Sequence, residues 1–124
     1  MITRSLIVGA GGFIGAVARY AVGVWCEGFW RRPFPLGTFL VNVTGCFILG
    51  LFLTLAAERL PIDARLRLFV ATGFVGAYTT FSTFEYETQR LSSTGALGWA
   101  IVNVLTSVLA GYAAVQLGVA LARR

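Results

Sequence analysis

Few side chains in this sequence could do chemistry. There is no His and no Lys, all ten basic residues are Arg, and the acids are Glu27, Glu58, Asp63, Glu85 and Glu87. Glu85 and Glu87 stand two apart, so on a helix they point to nearly opposite sides and cannot act as one acid/base pair. Without His or Lys the common catalytic constellations are missing, and an enzyme is not expected. Cys26 and Cys46 lack metal-ligand spacing and imply neither a disulfide nor a metal site. What remains are uncharged polar groups and aromatic rings set among apolar residues: Asn42 followed by Thr44 and Gly45, then Asn103, Ser107 and Gly111 at four-residue intervals, and the run 73–84.

The elements that carry these residues must lie in lipid. Of 124 residues 57% are apolar and 12% charged, with a mean hydropathy of +0.80. A soluble domain carries roughly twice that share of charge. A spanning helix uses about 20 apolar residues, and the sequence divides into four spans at residues 5–26, 36–57, 66–91 and 97–122. One all-α integral membrane domain, 1–124, is the expectation. Connector 27–35 holds Trp30, Arg31, Arg32, Pro33 and Pro35, connector 58–65 holds Arg59, Pro61 and Asp63, and 92–95 reads as a short polar turn. Arg4, the apolar run 6–18 and Ala16-Val17-Ala18 imitate a secretory signal, but apolar character resumes from Tyr20 to Trp25, so the segment reads as a retained span.

The net charge of +5 comes with no basic run longer than the pairs Arg31-Arg32 and Arg123-Arg124, which suits headgroup anchors rather than nucleic acid. With a cytoplasmic N-terminus that side holds Arg4, Arg59, Arg65, Arg67, Arg123 and Arg124, against Arg31, Arg32, Arg90 and a snorkelling Arg19. So weak a bias allows insertion in either sense, and two inverted copies could pair.

Polar groups inside spans must meet a partner or water. Asn42 reads as an interhelical hydrogen bond, with a pore-lining donor as the alternative. The stripe Asn103, Ser107, Gly111 reads as a packing seam or as a narrow polar track. Gly11 and Gly15 have the spacing that lets helices approach closely. Gly9-Ala10-Gly11 opens like a dinucleotide fingerprint, but Ile14 stands where the third glycine belongs. In 73–84, Gly73, Gly76, Thr79, Thr80, Ser82 and Thr83 replace good helix formers and read as a break. Freed carbonyls become cation ligands and freed N–H groups anion donors. Phe81 and Phe84 flank the break; they are either core residues or rings whose positive edges hold an anion without a countercharge that would trap it.

Taken together, the chain resembles the Fluc (CrcB) family of fluoride ion channels. The resemblance rests on 11–20 (Gly11, Gly12, Gly15, Arg19), on 37–45 (Gly37, Thr38, Asn42, Gly45) and on 73–84, three ordered signatures covering the chain. It implies an antiparallel dual-topology homodimer in the cell inner (plasma) membrane, with the third helix broken at mid-membrane and two fluoride pathways. It implies a structural sodium ion on the backbone carbonyls of Gly76 and Thr79. Fluoride would meet Phe81 and Phe84 and take a hydrogen bond from Asn42, with Ser107 on a polar track; Arg19 and Glu87 would shape the vestibules. The family often has a second glycine after the one matching Gly76, where this chain has Ala77; a left-handed backbone there would strain alanine.

The expected activity is passive, fluoride-selective conduction that lets cytoplasmic fluoride leave and confers resistance to it. A small dual-topology multidrug exporter is the alternative; it needs an acid in its first span, and 5–26 has none. An assembly subunit without transport would explain the small-residue seams but not the 73–84 run.

Overall fold

A computed structural model describes all of residues 1–124. The chain is helical throughout: α1 (Ile2–Phe29), α2 (Leu36–Glu58), α3 (Ala64–Arg67), a π-helical segment (Leu68–Val75), α4 (Gly76–Tyr78), α5 (Phe81–Ser93) and α6 (Leu97–Ala122). By length and hydropathy α1, α2 and α6 are each able to cross a membrane unbroken. The third expected span is assembled in pieces, with Thr79 and Thr80 extended between α4 and α5. The architecture is three continuous candidate spans and one interrupted one.

The first span runs three residues further at each end than 5–26, and α6 matches 97–122. The turn expected at 92–95 is shorter, because α5 continues through Ser93 and the reversal is made at Gly95, at φ 83°. The larger correction concerns the break. Gly73 and Val75 lie in the π-helical segment, Gly76–Tyr78 are α-helical, and Phe81–Phe84 already form the first turn of α5. Helix propensity is a weak prior that packing overrides, and here Gly73, with Gly11 and Gly15 opposite it, is a packing surface.

Close approach to α1 explains them. A Cβ on Gly11 would strike the Phe69 carbonyl, one on Gly15 the Phe74 carbonyl, and one on Gly73 would sit 2.6 Å from the Val8 carbonyl oxygen. Gly11 and Gly15 are one α-turn apart, while Phe69 and Phe74 are one π-turn apart. The wider five-residue turn thus stays in register with the four-residue turn of α1, a use for a π segment that sequence periodicity does not announce. The pairing expected of Gly11 and Gly15 is therefore a backbone-on-backbone seam, and the Gly9-Ala10-Gly11 motif lies inside a continuous helix. The second seam joins α2 and α6, where a Cβ on Gly50 would stand 2.5 Å from the Val115 carbonyl and one on Gly118 2.5 Å from that of Phe47. Ala77 is helical, no non-glycine residue has positive φ, and the strain considered there is absent.

Two ends of the bundle are tied differently. At one, Arg123 bonds Glu58 at 2.8 Å and Arg67 donates to the Ala56 carbonyl at 3.3 Å. At the other, Trp30 Nε1 donates to the Phe34 carbonyl at 2.7 Å, and Phe34 lies 5.3 Å from Phe39 and 6.3 Å from Trp99 between ring centroids. Such an aromatic cluster suits the headgroup level.

Candidate functional site

The site is built where α2 grips the interrupted span. Thr38 Oγ1 donates to Glu87 Oε1 at 2.9 Å, Asn42 bonds Thr80, and Thr44 bonds Tyr78 at 2.9 Å. Asn42 makes two bonds to one residue: its Oδ1 accepts from Thr80 N at 2.7 Å and its Nδ2 donates to Thr80 O at 3.0 Å. An amide side chain, with one acceptor and one donor, is the group that can match the N–H and the C=O of one residue in this way. Thr44 already donates to the Leu40 carbonyl at 2.6 Å, so the Tyr78 hydroxyl must be the donor of the shared bond. Tyr78 is also stacked on Phe74, with centroids 5.5 Å apart. The backbone is thereby held on both sides of Thr79.

Thr79 itself is accommodated by Gly45, where any Cβ would strike its methyl group. Its N–H and hydroxyl both bond the Val75 carbonyl, at 3.0 and 2.9 Å. The Thr80 N–H, which in a continuous helix would reach the Gly76 carbonyl, is taken by Asn42. The Thr79 carbonyl has no hydrogen-bond donor either. Thr80 then starts α5 as its cap, its Oγ1 accepting from Thr83 N at 3.3 Å and donating to Thr83 Oγ1 at 3.0 Å.

Beside the break lies an open cleft of about 290 Å³, into which Asn42, Phe81, Phe84 and Ser107 converge with Thr79, Thr80 and Cys46. The rings of Phe81 and Phe84 stand 5.8 Å apart, tilted by 41°. They differ in setting: Phe84 is 6% exposed and Phe81 73%. Phe81 leaves the chain rather than filling its core.

Arg19 and Glu87 do not enter this cleft. Arg19 lines a separate cavity of about 340 Å³ with Thr38, Thr80 and Thr83, and Glu87 lines another with Thr38, Trp30 and Arg32. Thr80 borders both the cleft and the Arg19 cavity, and Thr38 both the Arg19 and Glu87 cavities, so the three adjoin in sequence. Glu87 Oε2 is buried with no protein partner. Glu85, two residues earlier, is exposed, as the spacing requires.

On α6 the stripe resolves into three jobs. Asn103 donates to Thr88 at 2.9 Å, Ser107 faces the cleft, and Gly111 packs toward Cys46, whose Sγ would stand in ordinary contact, at 3.5 Å, with an added Cβ. Thr88 was not named from sequence, and Thr38, Thr44 and Tyr78 were named only within their runs, with no role of their own. Thr38 stands one helical turn from Asn42, a spacing that could have marked it; Thr88 bonds the Phe84 carbonyl of its own helix and Asn103 of another, and local spacing does not announce the second bond.

The family model described as CrcB-like protein, Camphor Resistance (CrcB), matches residues 6–119. The chain belongs to the CrcB family. Its relatives include proteins called fluoride-specific ion channel FluC. That of Acidobacterium capsulatum is 48% identical over 121 residues, 98% of this chain and 97% of that one. Those of Solibacter usitatus and Agrobacterium fabrum are 46% and 44% identical, over 98% and 94% of this chain and 99% and 94% of their own lengths. The resemblance seen in three short signatures thus extends along nearly the whole CrcB chain.

Proposed function

We propose that this chain is a fluoride-selective ion channel, not an enzyme, spanning the cell inner membrane several times and letting cytoplasmic fluoride leave by passive electrodiffusion. The observation that carries the reading is the cleft beside the Thr79–Thr80 break, where an amide, hydroxyls and aromatic rings meet with no formal charge among the lining side chains. Ring edges and uncharged donors stabilise an anion, yet weakly enough for it to move on. HF enters a cell as a neutral acid and dissociates to a trapped anion, so an inside-negative potential drives the anion out without an energy-coupling group.

In this reading fluoride passes Phe81, Phe84, Asn42 and Ser107, while Arg19 and Glu87 shape the aqueous vestibules and vestibule water supplies the missing donor to Glu87 Oε2. The working unit is an antiparallel homodimer. In support, α5 presents Ser82, Thr83, Glu85 and Gln89 as exposed residues beside the exposed Phe81. Hydrocarbon cannot solvate such a face, and a second, inverted copy would cover it. The Gly76 and Thr79 carbonyls, freed at the break, suit a hard cation such as sodium, which takes oxygen donors without needing a charged side chain. A bound sodium would supply fixed positive charge at the break and hold the two chains together there.

The test is efflux from liposomes under a potassium–valinomycin clamp. Fluoride should leave far faster than chloride; equal rates, or none, would sink the proposal. Elemental analysis of the purified protein should find one sodium per two chains, and a value at the dialysis background would remove sodium from it.

A further inference from the structure

Asn103 is 1% exposed and lies outside the lining of the cleft, yet it touches Ser107, which lines it. Three hydrogen bonds connect in a row: Ser107 Oγ to Asn103 Oδ1 at 3.3 Å, Asn103 Nδ2 to Thr88 Oγ1 at 2.9 Å, and Thr88 Oγ1 to the Phe84 carbonyl at 2.8 Å. Proton counting fixes their direction. A carbonyl only accepts, so the single Thr88 hydroxyl proton goes to Phe84. Thr88 Oγ1 must then accept, which turns the NH₂ of Asn103 toward it. The Asn103 carbonyl is left facing Ser107, whose own single proton must go there.

The consequence lies in the cleft. With its proton held by Asn103, Ser107 offers lone pairs to an anion rather than a donor. The holding bond is long at 3.3 Å, where a good hydroxyl–carbonyl bond is about 2.7–2.8 Å. It is weak enough to be exchanged for an anion and to re-form when the anion leaves.

We infer that Asn103 is a positioning residue of the ion pathway: with Thr88 it holds the Ser107 hydroxyl proton away from the empty cleft and releases it to a passing anion. The inference rests on the channel reading above. Because the relay ends at the Phe84 carbonyl, it ties Ser107 to the backbone of a residue that lines the same cleft.

Thr88→Val keeps the shape and removes the hydroxyl. Asn103 is then free to turn its NH₂ to Ser107, whose proton points permanently into the cleft and holds the anion too long. Fluoride efflux from liposomes should fall about tenfold, the rate factor of one hydrogen bond. Thr88→Ser restores the hydroxyl and should recover flux to within about threefold. In a Ser107→Ala background, Thr88→Val should cost less than about twofold, since residues in one network are non-additive. A purely structural Thr88 would give the same loss in both backgrounds, and that result overturns the relay while leaving the channel intact. So does wild-type-like flux in Thr88→Val. Absence of fluoride flux in the unaltered protein overturns both readings, and chain assembly measured by gel filtration separates lost function from misfolding.

Discussion

Asn42 shows how a residue's surroundings decide between two uses. Alone it suits an interhelical bond or a pore donor; bonded to both N and O of Thr80, it maintains the break beside the cleft. Its second Nδ2 hydrogen is not used in that clamp. Asn42→Asp keeps the acceptor for Thr80 N but sets a carboxylate oxygen against Thr80 O, so fluoride efflux should fall at least about a hundredfold, the combined effect of a lost donor and a repulsive contact. Gel filtration should still show the assembled protein, because the α2–α6 and α1 seams are untouched. Phe81→Ala should likewise abolish efflux without loss of assembly: the ring is 73% exposed within its own chain, so its removal opens no cavity in that chain's core. Unchanged flux in either variant would remove that side chain from the pathway.

At the scale of elements, the interrupted span works because its neighbours supply what a continuous helix supplies for itself. α1 offers a glycine surface to the π-helical segment, α2 offers Asn42 and Thr44 to the ends of the break, and Thr80 caps α5. Gly15→Ala drives a methyl into the Phe74 carbonyl and should destabilise the protein by about 2 kcal/mol, as overpacking does. Gly9→Ala, with nothing within 4 Å of the added carbon, should be neutral or stabilising in the same thermal-unfolding measurement in detergent. Similar melting of the two variants would deny the register between the α-turn and the π-turn. Thr80→Val removes the α5 cap at about 1 kcal/mol, which Thr80→Ser should restore.

For the whole molecule, the nearly balanced arginines and the polar face of α5 bear on the same question. A chain with Arg at both ends of its bundle has little preference for one orientation, and the face bearing Ser82, Thr83, Glu85 and Gln89 needs cover that lipid does not provide. A fluorophore at the C-terminus, in liposomes treated with a membrane-impermeant quencher, should lose about half its signal before the membrane is opened, as two inverted insertions require. Quenching of all of it, or none, would mean a single orientation and would exclude the inverted dimer.

The amino-acid sequence by itself determined the solvent. Scarce charge and long apolar runs require helices across a bilayer, and glycine, threonine and phenylalanine between 73 and 84 could not pass for an ordinary span. It also carried the residue types of the cleft, because an uncharged polar group in hydrocarbon is costly enough to be conspicuous. The extent of the break was not legible: Gly73 and Gly76 are poor helix formers by local propensity, yet close contact with α1 at Gly73 and the π-turn bond from the Gly76 N–H to the Ala71 carbonyl keep them helical. Nor were the partners of Asn42 and Asn103 legible, since hydrogen bonds between helices depend on which faces meet. Only the tertiary structure decided that two threonines, rather than twelve residues, make the break, and which way the protons beside it point.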